Sequence, residues 1–271
     1  LRFVDMTFAH AGWELPAEGS DDRQAAAARS VSPAAIEATA WHAGGLERVR
    51  VRLCANHGIR IGDGCRDLRL ERLLVEDVGA NGISVGRERD AAVDAPELVQ
   101  RIVIDRSVIR RAGRVRVGAV GAWIAYARAC AITRCLIEDL PYTGISVGWQ
   151  WDALPANAGG HRIEANHLRD VMRLMCDGAA FYALGRQTGS VVRGNLVERV
   201  RRHPEAFVSP ISGYYFDQGS QGWVMEGNVA RGVDDPPVFL HAPGTTAKTG
   251  VATDQPDPVV IRDNRLTVGM E

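Results

Sequence analysis

Short runs in which apolar and polar residues alternate recur from one end of the chain to the other, broken by Gly, Asn and Asp. A period of two marks a strand with one buried face, and the residues between the runs are turn formers. No stretch keeps a 3.6-residue apolar period for ten or more residues. The one helix-like segment, Asp21 to Ala40, is rich in Ala and interrupted by Pro33. It reads as an excursion between a first strand at Leu1 to Phe8 and coils that begin near Val49.

The runs also repeat. The segment from Asp67 to Gly86 returns as Ala129 to Gly148, and both copies end in Gly-Ile-Ser-Val-Gly. Weaker copies lead to Asn166, Asn195, Asn228 and Asn264. Equivalent apolar positions are Leu70, Ile104, Ile132, Ile163, Val192, Met225 and Ile261, at steps of 34, 28, 31, 29, 33 and 36 residues. Units of two or three short strands with variable turns match the coils of a parallel β-helix, where insertions loop out without disturbing the stack. Propeller blades are longer, at ~40 to 45 residues. The expected fold is therefore all-β, a right-handed parallel β-helix forming a single domain over residues 1–271. In it the four Asn read as a stacked ladder, and Asp77 and Asp139 as turn residues.

Composition narrows the function. With 46% hydrophobic residues and a formal net charge of −1 over 271 residues, the chain has the make-up of a globular domain with a sizeable core. Its 32 basic and 33 acidic residues are mixed along the sequence, so no nucleic-acid partner is expected. No membrane-length apolar stretch and no basic-then-apolar leader is present. Lys248 is the only lysine, and the Arg excess reads as genome composition. The five cysteines, Cys54, Cys65, Cys130, Cys135 and Cys176, form no C-x-x-C pair, and Cys130 and Cys135 fall in apolar runs as small buried hydrophobes. Because Leu1 enters directly into a strand-like run, the 271 residues are expected to be most of a β-helix, without its native caps.

In a solenoid the informative residues are those that break the repeat. Trp149, Trp151 and Asp152 follow the second Gly-Ile-Ser-Val-Gly. Asp177 and Tyr182 stand one coil later, and Tyr215 and Asp217 one coil beyond that, while Glu88 follows the first Gly-Ile-Ser-Val-Gly. Aromatic faces cover the C–H faces of sugar rings, and carboxylates do acid and base work at a glycosidic oxygen. Alternation places Phe216 inward, and Tyr215 and Asp217 outward. His57 and His203 are outside candidates for substrate contact. The histidines show no metal-ligand spacing, and no metal or cofactor is expected.

The run from Thr143 to Trp151, the run from Asp177 to Gly185 and the run from Tyr215 to Ser220 together resemble right-handed parallel β-helix glycoside hydrolases, especially glycoside hydrolase family 141. The resemblance covers most of the chain, with its specific part at 143–228. It implies α-L-fucosidase or xylanase chemistry on plant polysaccharides, secretion or a periplasmic location, and Asp177 and Asp217 as the catalytic carboxylates beside Trp149, Trp151 and Tyr182. Two positions depart from the family pattern. Ala179 replaces the second Gly after Asp177, and Gln218 replaces an acid.

Aligning Gly144, Gly178 and Gly213 puts Asp177 and Asp217 about five strand positions apart, or roughly 16 Å. Glycosidase pairs lie ~5 to 9.5 Å apart. Either the register slips near Ala179, or Asp217 works with another acid such as Asp152 or Glu88. The leading expectation is a glycoside hydrolase acting on a plant or microbial oligo- or polysaccharide. Its rivals are a polysaccharide lyase on the same fold and a carbohydrate-binding β-helix without activity.

Overall fold

The computed structural model describes residues 1–14, 17, 19, 32–90, 94–207, 209–241 and 257–269. Among them the alternating runs form 26 strands, which pass in turn through three parallel sheets of nine, nine and eight strands. Each coil contributes one strand per sheet, which makes a right-handed parallel β-helix. The seven equivalent apolar positions fall in one row of the first sheet, and Phe3 and Leu46 extend that row upstream. Leu1 to Phe8 is thus no lone strand. It splits into Arg2–Val4 and Thr7–Ala9, which already belong to the first and second sheets. The coils begin there rather than near Val49.

The helix-like reading of 21–40 fails where it can be checked. Ala34–Ala38 is a strand of the third sheet, paired with His57–Ile61, and residues 21–31 lie outside the described residues. Alanine is a strong helix former, but in-register pairing on a preformed sheet edge overrides that local preference.

Inward side chains fill the narrow space between the sheets, with Leu70, Ile83, Ile132, Ile163 and Val192 fully buried. The repeated glycine of Gly-Ile-Ser-Val-Gly has a steric cause. A Cβ on Gly82 would lie 2.5 Å from Ile109 Cγ2, and one on Gly144 would lie 2.9 Å from Leu168 Cδ2. The third sheet can close on the second only where no side chain intervenes. The asparagines form the expected ladder. The side-chain amide of Asn166 donates to Asn195 Oδ1, that of Asn195 to Asn228 Oδ1 and that of Asn228 to Asn264 Oδ1. Asp77 and Asp139 have left-handed backbones, as turn residues do.

All five cysteines are free and buried. The arginines prove more structural than composition alone implied. On the outer faces Arg110 binds Glu76 and Arg169 binds Glu138, each pair joining neighbouring coils. Exposed pairs of this kind contribute about 0.2–1 kcal/mol each, so they tune the stack rather than hold it.

Candidate active site

The third sheet carries the departures from the repeat. Along its outer face Arg60, Ser84, Trp123, Ser146, Tyr182, Tyr215 and Phe239 stand in register on successive strands. Tyr182 belongs to Gly178–Ala183 and Tyr215 to Ile211–Phe216. Their rings meet edge to face at 5.1 Å, and Tyr215 meets Phe239 at 4.9 Å. As alternation requires, Phe216 points inward and is fully buried.

Asp217 follows Phe216 at the end of its strand, and His241 follows Leu240 at the same place one rung on. The His241 amide donates to Phe216 O at 2.9 Å, which fixes the two side by side. His241 Nδ1 lies 2.7 Å from Asp217 Oδ1. The same oxygen accepts the Gln218 amide at 2.7 Å, while the Tyr182 hydroxyl donates to Oδ2. Both carboxylate oxygens are therefore held by hydrogen bonds, which fix the orientation of the group. Burial, and then the charge of Asp217, push the Tyr182 phenol well above its usual range, so it remains a donor.

Asp177 enters the Gly178–Ala183 strand from the opposite edge, with a left-handed backbone at φ 57°. The hydroxyl of buried Tyr142 donates to its carbonyl at 2.6 Å and fixes that turn. Its Oδ1 lies 3.4 Å from the Tyr215 hydroxyl, which is also 3.4 Å from His241 Nδ1. Burial, followed by the charge of Asp217, pushes the Asp177 carboxyl above the usual carboxylate range. Hydrogen bonds from Ser209 and Tyr215 oppose that only in part.

The register does slip near Ala179, though not in the direction that would close the gap. Gly178 pairs with Ile211, and Gly144 stands level with Ala180, so the strand-wise separation of Asp177 and Asp217 lengthens. Long side chains span it instead. Contacts of 3.4, 3.4 and 2.7 Å, through Tyr215 and His241, link the two carboxylates. That path caps their oxygen separation at about 10 Å, comparable with the upper glycosidase spacing.

The tryptophans stand at the Asp217 edge. Trp149 packs edge to face on Trp123 at 5.9 Å and on Trp151 at 4.7 Å, leaving Trp151 42% exposed. Their loop is pressed against the turn that follows Asp217, because a Cβ on Gly219 would meet Asp152 O at 2.0 Å. Asp152 is occupied locally, accepting from the Gln150 side-chain amide and from the Leu154 amide. Among the described residues no hydrogen bond joins its carboxylate to Asp217.

Three other candidates stand apart. His57 is buried five strands from Asp217 along the third sheet, about 24 Å at ~4.8 Å per strand. Its Nδ1 accepts the Asn81 amide, and burial with nearby Arg60 and Arg116 depresses its pKa to about 3, so it is a neutral structural group. Glu88 is exposed in the loop after Gly86, on a coil four strands away. His203 lies at the Asp177 edge, in a cleft beside Arg173.

Three residues at the centre escaped the sequence reading: His241, Tyr142 and Ser209. For His241 a signal existed. Val238-Phe239-Leu240-His241 copies the alternation of Tyr214-Tyr215-Phe216-Asp217, with a polar residue at the same closing position.

Comparison with solved structures places this geometry. A glycoside hydrolase superposes with a TM-score of 0.76 at 23% identity, over 88% of this chain and 40% of its own. The A-module of the Azotobacter vinelandii mannuronan C-5 epimerase AlgE6 superposes with a TM-score of 0.61 at 14% identity, over 85% of this chain and 54% of its own. This chain shares their fold. It spans less than half the length of the first and about half of the second. No family model and no curated protein matches the sequence. Among the described residues no helix is long and apolar enough to cross a membrane.

Proposed function

We propose that the protein is a carbohydrate-active enzyme, a glycoside hydrolase that cleaves a plant or microbial polysaccharide with Asp177 and Asp217. One observation carries the reading. Two carboxylates share a bridged cluster, and one of them, Asp177, is held above the usual carboxylate range by burial and by its neighbour's charge, as the acid of a glycosidase pair is. Asp177, held up by burial and by its neighbour's charge, keeps a proton to deliver to the leaving oxygen. Asp217, whose oxygens accept from the Tyr182 hydroxyl and the Gln218 amide, faces the positive charge that develops on the sugar ring. Exposed Trp151, with half-buried Trp149 and Tyr182, supplies the faces on which rings lie, and buried Tyr215 contributes its hydroxyl. Within this class, the sequence resemblance favours an activity like those of family 141, in a secreted or periplasmic enzyme.

A lyase or epimerase reading needs a cation to neutralise a uronate carboxylate while its α-proton leaves. The hydrolase reading instead uses the carboxyl groups themselves, held here by the hydroxyls of Tyr182, Tyr215 and Ser209, the His241 ring and the Gln218 amide. The deciding experiment measures release of reducing ends from a panel of xylans, fucosylated glycans and pectins. Asp177→Asn and Asp217→Asn should each lower turnover by about 10²- to 10⁴-fold while leaving polysaccharide binding intact. Unchanged turnover in both overturns the assignment, and unsaturated products absorbing in the ultraviolet identify a lyase instead.

A further inference from the structure

A cleft of 360 Å³ opens at the edge of the third sheet where Asp177 enters. Leu140 and Pro141 line it on one coil, Arg173 on the next and His203 on the next, with Arg114 and Asp139 at its rim. Its lining is joined along the chain to residues that hold Asp177. Pro141 precedes Tyr142, whose hydroxyl fixes Asp177, and the loop carrying His203 also carries Ser209, which hydrogen-bonds the Asp177 carboxylate. The amides of Arg173 and Leu174 bond to the carbonyls of Leu140 and Pro141, so backbone hydrogen bonds join these two coils at the cleft.

Two independent properties distinguish this edge. The first is charge. Arg173 pairs with Asp139, but Arg114 is exposed and forms no ion pair with a described residue, so the cleft carries an excess of positive charge. Arg110, Arg169, Arg193 and Arg231 on the outer faces, by contrast, are matched to carboxylates on neighbouring coils. The second is exposed apolar surface. Val115, Leu174 and Phe207, 56%, 48% and 86% exposed, project from the same edge on different coils. Coils repeat every ~4.8 Å, close to the length of one sugar residue, so a glycan laid along the axis meets one apolar platform after another.

We propose that this cleft is a subsite for an acidic sugar, with the guanidinium groups of Arg114 and Arg173 binding a uronate carboxylate on the Asp177 side of the scissile bond. This deepens the hydrolase reading by naming its substrate class, an acidic polysaccharide. A planar guanidinium matches a carboxylate with paired hydrogen bonds, which a neutral sugar does not offer.

The test uses the Asp177→Asn variant, so that binding is read without turnover. Hexasaccharides of galacturonate, glucuronate and mannuronate are titrated beside their carboxyl-reduced forms. The best acidic ligand should bind at least about tenfold more tightly than its reduced form, an advantage that high salt erodes. Adding Arg114→Ala or Arg173→Ala should remove that advantage and leave binding of the reduced form unchanged. Arg265→Ala, on an exposed strand of the second sheet, should have no effect. No acidic preference anywhere in the panel overturns the subsite, as does equal weakening of both forms by the arginine variants. Acidic preference without reducing-end release by the wild-type protein would keep the subsite and remove the hydrolase assignment. Hydrolysis of neutral glycans alone would do the reverse.

Discussion

His241 Nδ1 lies 2.7 Å from Asp217 Oδ1 because the two residues close equivalent strands on adjacent coils. A carboxylate only accepts, so Nδ1 carries the proton and His241 orients Asp217 from the solvent side. His241→Ala should lower kcat by about 10- to 100-fold, the value of a hydrogen bond to a charged group, with little change in KM. His241→Gln, which restores an N–H donor, should recover much of that loss. An unaltered kcat in the alanine variant would remove the histidine from the mechanism.

Asp177 makes stability depend on pH in an unusual direction for a carboxylate. Its folded-state pKa is raised, so as pH climbs past the ordinary value of 3.8 the unfolded chain releases this proton first. Its contribution to folding is fully present below pH 3.8 and is lost as pH rises through the folded value. Asp177→Asn, neutral at every pH, should therefore raise Tm at pH 7 and leave it nearly unchanged at pH 3. Equal shifts at the two pH values would contradict the raised pKa.

The asparagine ladder should be graded along its length. Asn195 Oδ1 accepts both the backbone and side-chain amides of Asn166, and its own amide donates to Ile163 O and Asn228. Asn195→Ala strands buried groups and should cost about 3 kcal/mol in chemical denaturation. Asn264, half-buried at the end of the ladder, should cost about 1 kcal/mol, because water replaces part of what is lost.

The glycine column offers a contrast in packing. Gly82→Ala places a methyl 2.5 Å from Ile109 Cγ2 and 2.6 Å from Gly121 O, and should destabilise by about 1–3 kcal/mol. Gly12, with nothing within 4 Å of the added carbon, should accept alanine with no loss. Denaturant midpoints of the two variants make the comparison.

The coils were legible because each repeats the same packing problem. Inward Leu70, Ile104 and Ile132 must stack in one row, and the sequence steps expose that row directly. Asp177, Asp217 and the aromatic residues were legible as exceptions to it. Two things were not. Arithmetic along strands placed the carboxylates too far apart, because it omitted the reach of Tyr215 and the turn at Asp177. His57 looked equivalent to Asp177, since each precedes a glycine, yet the two-residue slip at Gly178 breaks that equivalence. His241 was hidden because its partner Asp217 lies 24 residues away in sequence. Its meaning comes from the coil beneath it.

The cluster draws Asp177 and Tyr182 from one coil, Tyr215 and Asp217 from the next, and His241 from a third. Each of these coils presents to its neighbours little more than a strip of backbone hydrogen bonds and a row of apolar side chains. Such a junction is indifferent to what lies several coils away. A coil duplicated or deleted among the earlier repeats would change the length of the third sheet's outer face while the Asp177–Asp217 cluster stayed as it is, so the reach of that face and the make-up of the cluster can evolve separately in this architecture.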